Sequence, residues 1–159
     1  MKRKSYADMN CSIARTLDIV GDPWTLLVVR DMFWGFHRFE EFQKRLGIAR
    51  NTLTDRLNVL VDHGIATKVA YQDNPTRHEY RLTPKGRALH PVIVTLMSWG
   101  DQWSGIEEPP VQLVEVPSGR VVSAILVDAE TGEPLENLRV RAKPVAEVSD
   151  EPDTANPSP

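Results

Sequence analysis

Residues 48–63, IARNTLTDRLNVLVDH, constrain the fold more than any other stretch, because a helical period stops at their end and a strand period follows. Leu53, Leu57, Leu60 and Val61 recur at steps of four, three and one and share one face, while Asn51, Thr54, Asp55 and Asn58 point the other way. The spacing predicts an amphipathic helix of about four turns. Its polar face consists of amides, hydroxyls and a carboxylate flanked by Arg50 and Arg56, groups that hydrogen-bond base edges and phosphates. A solvated helix face looks the same in isolation, so the flanking sequence decides between the two.

The segments on either side favour the DNA reading. Phe39, Phe42 and Leu46, at steps of three and four, predict a short helix that Gly47 ends. A short helix, a turn of three or four residues containing glycine, and a longer helix with a polar face have the outline of a helix-turn-helix. Before it, Ser12 is expected to cap a first helix that turns Ile13, Ala14, Leu17 and Val20 inward until Gly21. Gly21, Asp22 and Pro23 combine a stop, a cap and an N1 proline, and open a second helix, residues 24–34, apolar around much of its circumference and therefore a core helix. After Gly64 the period changes to two. Residues 65–71 and 77–82 read as strands joined by Gln72-Asp73-Asn74-Pro75-Thr76. A hairpin directly after a helix-turn-helix is the wing of a winged helix, and Arg77 at the base of its tip, with Lys68 and Arg81 nearby, is placed to reach phosphates or a minor groove. Arginines on an exposed hairpin serve solubility as often.

Thr83 and Pro84 are expected to start one long helix, residues 85–103, in which Leu89, Val92, Ile93, Leu96, Met97, Gly100 and Trp103 recur at three and four. That stripe is long for the body available to cover it. With the first helix it makes either a homodimer seam, through Ile13, Leu17, Leu89, Ile93, Leu96, Met97 and Trp103, or the packing of the domain on its own back.

Composition matters in the last third of the chain, which holds 8 of the 12 prolines. Residues 1–105 carry 15 Lys and Arg against 11 Asp and Glu, and residues 106–159 carry 4 against 11. The net charge of -3 therefore averages a mildly basic body and an acidic tail, and does not speak against nucleic acid. The fold class expected is mainly α with a β-hairpin wing, a winged helix-turn-helix, plus a small C-terminal β appendage. Its parts are residues 1–105 for DNA binding and dimerisation, 106–144 for a metal-free ribbon with strands at 111–116, 120–127 and 138–141, and 145–159 for an acidic disordered tail. No apolar run approaches the roughly 20 residues of a membrane span. Nor does the basic start resemble a signal peptide, so a cytoplasmic protein without a membrane partner is expected. The single cysteine, Cys11, excludes an intrachain disulfide, and the four histidines lack metal-ligand spacing. No nucleophile elbow, phosphate loop or metalloprotease motif offers catalysis a candidate residue, so neither an enzyme nor a cofactor or metal is expected.

In order along the chain stand Cys11, the G-x-x-W-T group of Gly21, Trp24 and Thr25, R-F-x-E from Arg38, L-x-x-R-L-x-x-L from Leu53, E-Y-x-L-T-x-x-G from Glu79, and Trp99-Gly100. With them, residues 11–105 closely resemble the HxlR-type winged helix-turn-helix transcriptional regulators of the MarR-like superfamily. The resemblance implies a homodimer, seamed by its first and last body helices, with two recognition helices in successive major grooves of double-stranded DNA. A pseudo-palindromic operator with half-sites about 10 bp apart, or a multiple of this, follows from that symmetry. Matched residue by residue, the recognition surface falls on Arg50, Asn51, Thr52, Thr54, Asp55 and Arg56, and the wing on Asn74, Thr76 and Arg77. Where many members have Ser-Pro at the start of the recognition helix, this chain has Ala49-Arg50, which removes a side-chain cap and adds a cation. Asp55 stands where a neutral or basic residue is more usual, either to accept from a cytosine amine or to pair with a neighbouring arginine.

Some members carry a tail resembling a zinc ribbon. Its ligand places fall on Glu115, Ser118, Asp128 and Thr131, a set without thiolate or imidazole that does not suit a structural zinc. Cys11 matches a cysteine that senses oxidants or electrophiles in some members; a small buried residue at the seam is the other reading. Trp24, Phe33, Trp34, Phe36, Trp99 and Trp103 either line a small-molecule effector pocket or belong to the core. The function expected is a sequence-specific, homodimeric repressor of transcription under a small-molecule or redox/electrophile signal. The competing function is a winged helix that serves only as a protein-interaction module.

Overall fold

The computed structural model describes residues 5–147. The chain forms two compact units, Met1–Pro110 and Val111–Pro159. In the first, α1 (Ser12–Val20), α2 (Pro23–Phe33), α3 (Phe39–Leu46) and α4 (Arg50–Asp62) lead into an antiparallel hairpin, β1 (Ala66–Asp73) and β2 (Thr76–Leu82). A single turn, α5 (Pro84–Arg87), and α6 (His90–Trp103) follow. This is a winged helix-turn-helix.

Local chemistry sets the inner elements. At the start of α2, Asp22 Oδ1 accepts from the Trp24 N–H at 3.0 Å, and Pro23 at N1 needs no partner. Val28, Val29 and Met32 of α2 form one buried cluster with Phe42 of α3, the Leu53, Leu57, Leu60 stripe of α4, and Ile65, Ala66 and Tyr80 of the hairpin region. Each large side chain so buried is worth roughly 1.5–3 kcal/mol, which fixes which face of α4 points inward. Between α3 and α4, Gly47 takes φ 62, a left-handed conformation that glycine adopts without a Cβ clash, and its N–H closes α3 on the Gln43 carbonyl at 3.0 Å. A buried charge cluster adds to the α2–α3 contact. The Asp31 carboxylate, at 0% exposure, accepts from Arg30 on its own helix and from Arg45 on α3.

The outer elements depart from the sequence expectation. Cys11, not Ser12, occupies the cap position of α1 and makes no side-chain cap bond. Ile13 and Leu17, expected to face inward, are 72% and 47% exposed, because the core reaches α1 only at its C-terminal end, through Ile19 and Val20. The long helix expected over 85–103 is broken at Ala88-Leu89. The cause is Pro91, which offers no N–H and whose ring would collide with the carbonyl four residues back. The wing strands run further than expected, leaving only Asn74 and Pro75 at the tip, and the register slips between Ala70 and Gln72.

In the second unit the three expected strands reduce to isolated bridges, Val114 with Val121 and Val127 with Pro134, and a 3-10 turn at Leu135–Asn137. Each bridge is short because a tight turn closes it, Gly119 N–H to the Glu115 carbonyl at 2.8 Å and Gly132 N–H to the Asp128 carbonyl at 2.9 Å. Two ladder bonds stand beside each turn, Glu115 N–H to Arg120 and Val122 N–H to Leu113, and Asp128 N–H to Glu133 and Leu135 N–H to Leu126, all to carbonyls at 2.9 Å. Val114, Val116, Ile125 and Leu126 nearby stay exposed, so no packed face extends either ladder. Of the tail expected to be disordered, Val145–Glu147 forms a 3-10 turn, and residues 148–159 lie outside the described residues, as do 1–4. Among the described residues no helix is long and apolar enough to cross a membrane.

Candidate nucleic-acid interface

Opposite its leucine stripe, α4 presents Arg50, Asn51, Thr54, Asp55 and Asn58, all exposed. Thr52 and Arg56 lie on the flank, half-buried. Thr54 Oγ1 donates to the Arg50 carbonyl at 3.0 Å, so its proton is committed to the helix while its lone pairs remain available to a base. Asp55 makes no ion pair among the described residues, so the arginine pairing held open for it does not form. Arg56 turns inward: Nη1 lies 3.3 Å from Asp22 Oδ2, and Nε is buried without a hydrogen-bond partner.

The start of α4 is open. Ala49 has cap geometry, φ -62 and ψ 140, but supplies no side-chain bond, so the positive end of the helix is left to an outside acceptor. Arg50 beside it stacks on Phe39, its Cζ 4.9 Å from the ring centroid.

The wing is anchored beside this point by contacts that the sequence reading missed. The Tyr80 N–H donates to the His37 carbonyl at 2.7 Å, the backbones of Arg38 and Glu79 pair in an isolated antiparallel β-bridge, and Arg38 Cζ sits 4.4 Å over the Tyr71 ring. Glu41, at N3 of α3, accepts from the N–H groups of Arg38 at 2.8 Å and His37 at 2.9 Å. The Arg38 N–H most of all, opposed by partial burial, holds this carboxyl below its ordinary range. A glutamate at N3 is the half of a capping box that reaches back to the N-cap N–H, and it was the available signal, although the Arg38 side chain has no acceptor to complete the box.

Between the wing and the starts of α3 and α4 lies a groove of about 190 Å³ lined by Arg50, Lys68, Tyr71, Thr76, Arg77 and His78, with Glu40 also on its wall. It gathers three cations from the recognition helix and both wing strands. Among the described residues none of the three is held in an ion pair. Arg81, expected to join them, pairs instead with Glu79, Nε to Oε1 at 2.6 Å. At the tip, Thr76 Oγ1 donates to the Asp73 carbonyl at 3.1 Å, the Asn74 backbone carbonyl accepts from Gln72 Nε2 at 3.1 Å, and Asn74 is exposed.

The remaining expected residues are spread over the first unit. Ile13, Leu17, Leu96 and Trp103 are exposed, whereas Leu89 and Ile93 pack partly on the domain's own core and Met97 is half-buried. Cys11 is a free, exposed thiol, and the nearby Arg15 Nε is engaged by the Met9 carbonyl at 2.9 Å. Trp24, Phe33 and Phe36 pack against the core, but Trp34, Trp99 and Trp103 are exposed, so the six aromatics neither gather into one pocket nor all join the core. A hollow of about 140 Å³ between α1 and α5, lined by Thr16, Ile19, Val20, Ile65, Lys85 and Leu89, includes none of them. In the second unit the places matching zinc ligands bond to each other: Ser118 Oγ donates to Glu115 Oε2 at 2.8 Å, and Thr131 N–H and Oγ1 donate to Asp128 Oδ1 at 2.8 and 3.0 Å. Two carboxylates and two hydroxyls so engaged do not fit a structural zinc.

A model of the HxlR-like helix-turn-helix family matches residues 19–108. The chain is 41% identical over 134 residues to the HTH-type transcriptional regulator Rv3095 of Mycobacterium tuberculosis (strain ATCC 25618 / H37Rv), covering 84% of this chain and 85% of that protein. It is similar in structure to PA1607, solved as a candidate transcription factor, with a TM-score of 0.77 and 44% identity over 88% of this chain and all (100%) of the other. The redox regulator HypR in its reduced form aligns with a TM-score of 0.56 and 31% identity, covering 60% of this chain and 95% of HypR. With its recognition helix, wing and family motifs in register, this chain belongs to the HxlR-like helix-turn-helix family of transcriptional regulators.

Proposed function

We propose that this regulator reads double-stranded DNA as a cytoplasmic homodimer and represses transcription from a pseudo-palindromic operator whose half-sites lie about 10 bp apart or a multiple of this. The observation that carries the reading is the continuity between the open face of α4 and the cationic groove beneath the wing. Asn51, Thr54 and Asp55 face base edges, with Thr52 bordering them from the flank and Asp55 accepting from a cytosine amine. Arg50 and Arg77, with Asn74 and Thr76 at the wing tip, take phosphates on either side. The exposed apolar residues of α1 and α6, Ile13, Leu17, Leu96 and Trp103, make the seam, backed by Leu89, Ile93 and Met97. Residues 1–105 are the DNA-binding and dimerising body, and 106–144 the appendage.

Selecting bound genomic fragments in vitro and measuring their affinity at two salt concentrations tests this. Steep salt dependence and paired half-sites are expected. Salt-insensitive or absent binding favours the protein-interaction module, and a monomeric mass in solution sinks the two-half-site model. Redox control is a second reading, favoured by the exposed Cys11 thiol at the cap of α1. Oxidant is then expected to release the wild type from DNA and to leave Cys11→Ser bound; equal responses remove the idea.

A further inference from the structure

We propose that Arg56 is a positioning residue of the DNA reader and not one of its DNA contacts: its pair with Asp22 ties the second turn of α4 to the N-cap of α2 and sets the angle of the recognition face. The inference rests on α4 reading DNA. Arg56 follows Leu53 by three and precedes Leu60 by four, which puts it beside the buried stripe and not on the open face. Its side chain is 25% exposed and that of Asp22 24%, and Arg56 Nε reaches neither solvent nor a hydrogen-bond partner.

Asp22 divides its two oxygens. Oδ1 caps α2 through the Trp24 N–H, and Oδ2 takes Arg56 Nη1 at 3.3 Å. One carboxylate thus joins the start of the core helix to the recognition helix. A phosphate could recruit Arg56 only by drawing it off a carboxylate already in place, against that carboxylate's own repulsion. Arg50 and Arg77 meet no such competitor.

The two roles predict opposite signs for Asp22→Asn. Asparagine keeps the cap on α2, because its amide oxygen also accepts from the Trp24 N–H, and it removes one negative charge from the DNA-reading half. If Arg56 touched phosphate, this change would free it and tighten binding. As a positioning pair, Asp22→Asn weakens binding about three- to tenfold, Arg56→Gln weakens it at least as much, and the double variant loses little beyond the larger single loss. Arg56→Lys, which keeps the charge without the planar fork, behaves like Arg56→Gln.

The log–log salt slope stays at the wild-type value in all of them, whereas losing a phosphate contact flattens it by about 0.9. The measurement is fluorescence anisotropy on a fragment selected by the wild type, with Arg50→Gln as the comparison that should flatten the slope and thermal melting to show that each variant is folded. Tighter binding by Asp22→Asn, or a flatter slope in Arg56→Gln, overturns the proposal. Should Arg56→Gln fail to fold, the sign of the Asp22→Asn effect decides alone. A wild type that selects no DNA refutes the DNA reading itself, and this inference with it, before any variant is compared.

Discussion

Replacing Asp31 by asparagine tests whether the buried charge cluster, and not apolar packing alone, holds the helix-turn-helix against α2. Three guanidinium N–H groups converge on this carboxylate: Arg30 Nη2 at 2.8 Å and Nε at 3.0 Å on Oδ1, and Arg45 Nε at 3.0 Å on Oδ2. Asparagine keeps the shape and one acceptor, loses the charge, and turns an amide N–H₂ toward one of the two cations. A charge-assisted bond is worth about 1.5–3 kcal/mol, and stripping a buried pair of one partner costs about 3–5 kcal/mol. Arg30 and Arg45 keep 29% and 34% side-chain exposure and can turn toward water, which lowers the whole range by about 1 kcal/mol, to about 2–4 kcal/mol.

Urea unfolding of the full chain followed by circular dichroism reads it as a lower midpoint with an unchanged slope. The melting temperature falls by about 8–30 °C, at roughly 4–8 °C per kcal/mol for a body of this size. Arg45→Met is the graded companion. It removes the Oδ2 bond and the stacking of Arg45 on Phe36, whose centroid is 3.8 Å from Cζ, but leaves Asp31 paired to Arg30, for about 1–2 kcal/mol. Stability of Asp31→Asn within about 0.5 kcal/mol of wild type, or a larger loss in Arg45→Met than in Asp31→Asn, would refute the reasoning.

Glu41 sits below its ordinary value near 4.5, so the stability it contributes is present above that value and drains away as pH falls through the lower folded value. Melting curves on the acid side should therefore be flatter for Glu41→Gln than for wild type, while parallel curves contradict the assignment. Gly86→Ala would drive a Cβ into the Ile65 carbonyl and to 3.0 Å from Leu82 Cδ2, and should cost about 1–3 kcal/mol in chemical unfolding. Gly47→Ala meets nothing within 4 Å but is strained at φ +62, and should cost nearer 1 kcal/mol. If Arg77 meets a phosphate, Arg77→Ala lowers affinity for all fragments alike and reduces the salt slope by about 1; a loss confined to particular sequences would make it a base reader instead.

Periodicity works best where the core is thickest. The leucine stripe of α4, the Asp22-Pro23 start of α2 and the Gly47 stop of α3 were legible because burial and capping act over a few neighbouring residues. It failed at the edges. The recurrence of Leu89, Val92, Ile93 and Leu96 reads as one continuous helix only if Pro91 is ignored, and a backbone donor missing at one position outweighs several apolar side chains in phase. In α1 the apolar pattern is present but marks residues left exposed, since a sequence records that a face is apolar and not what covers it. Likewise Val111 onward alternates like strands, yet the ladders at the turns Glu115–Gly119 and Asp128–Gly132 stop after two bonds each, because the alternating valines and leucines find no face to pack on.

Arg56 shows a further limit. A helical projection sorts α4 into an inside and an outside, and any cation near the outside then reads as a DNA contact. The helix has a third zone, the flank held by Thr52, Arg56 and Val59, all half-buried, from which a long side chain can reach either way. What draws the guanidinium inward is Asp22, far upstream and recognisable in the sequence only as the cap of another helix. The same residue type at Arg50, with Phe39 to stack on and no carboxylate bonded to it, stays turned toward the groove. Among the arginines of a recognition helix, then, the availability of an acidic partner on the core side separates those that orient the helix from those that meet the nucleic acid, and neutralising the partner tells the two apart by sign.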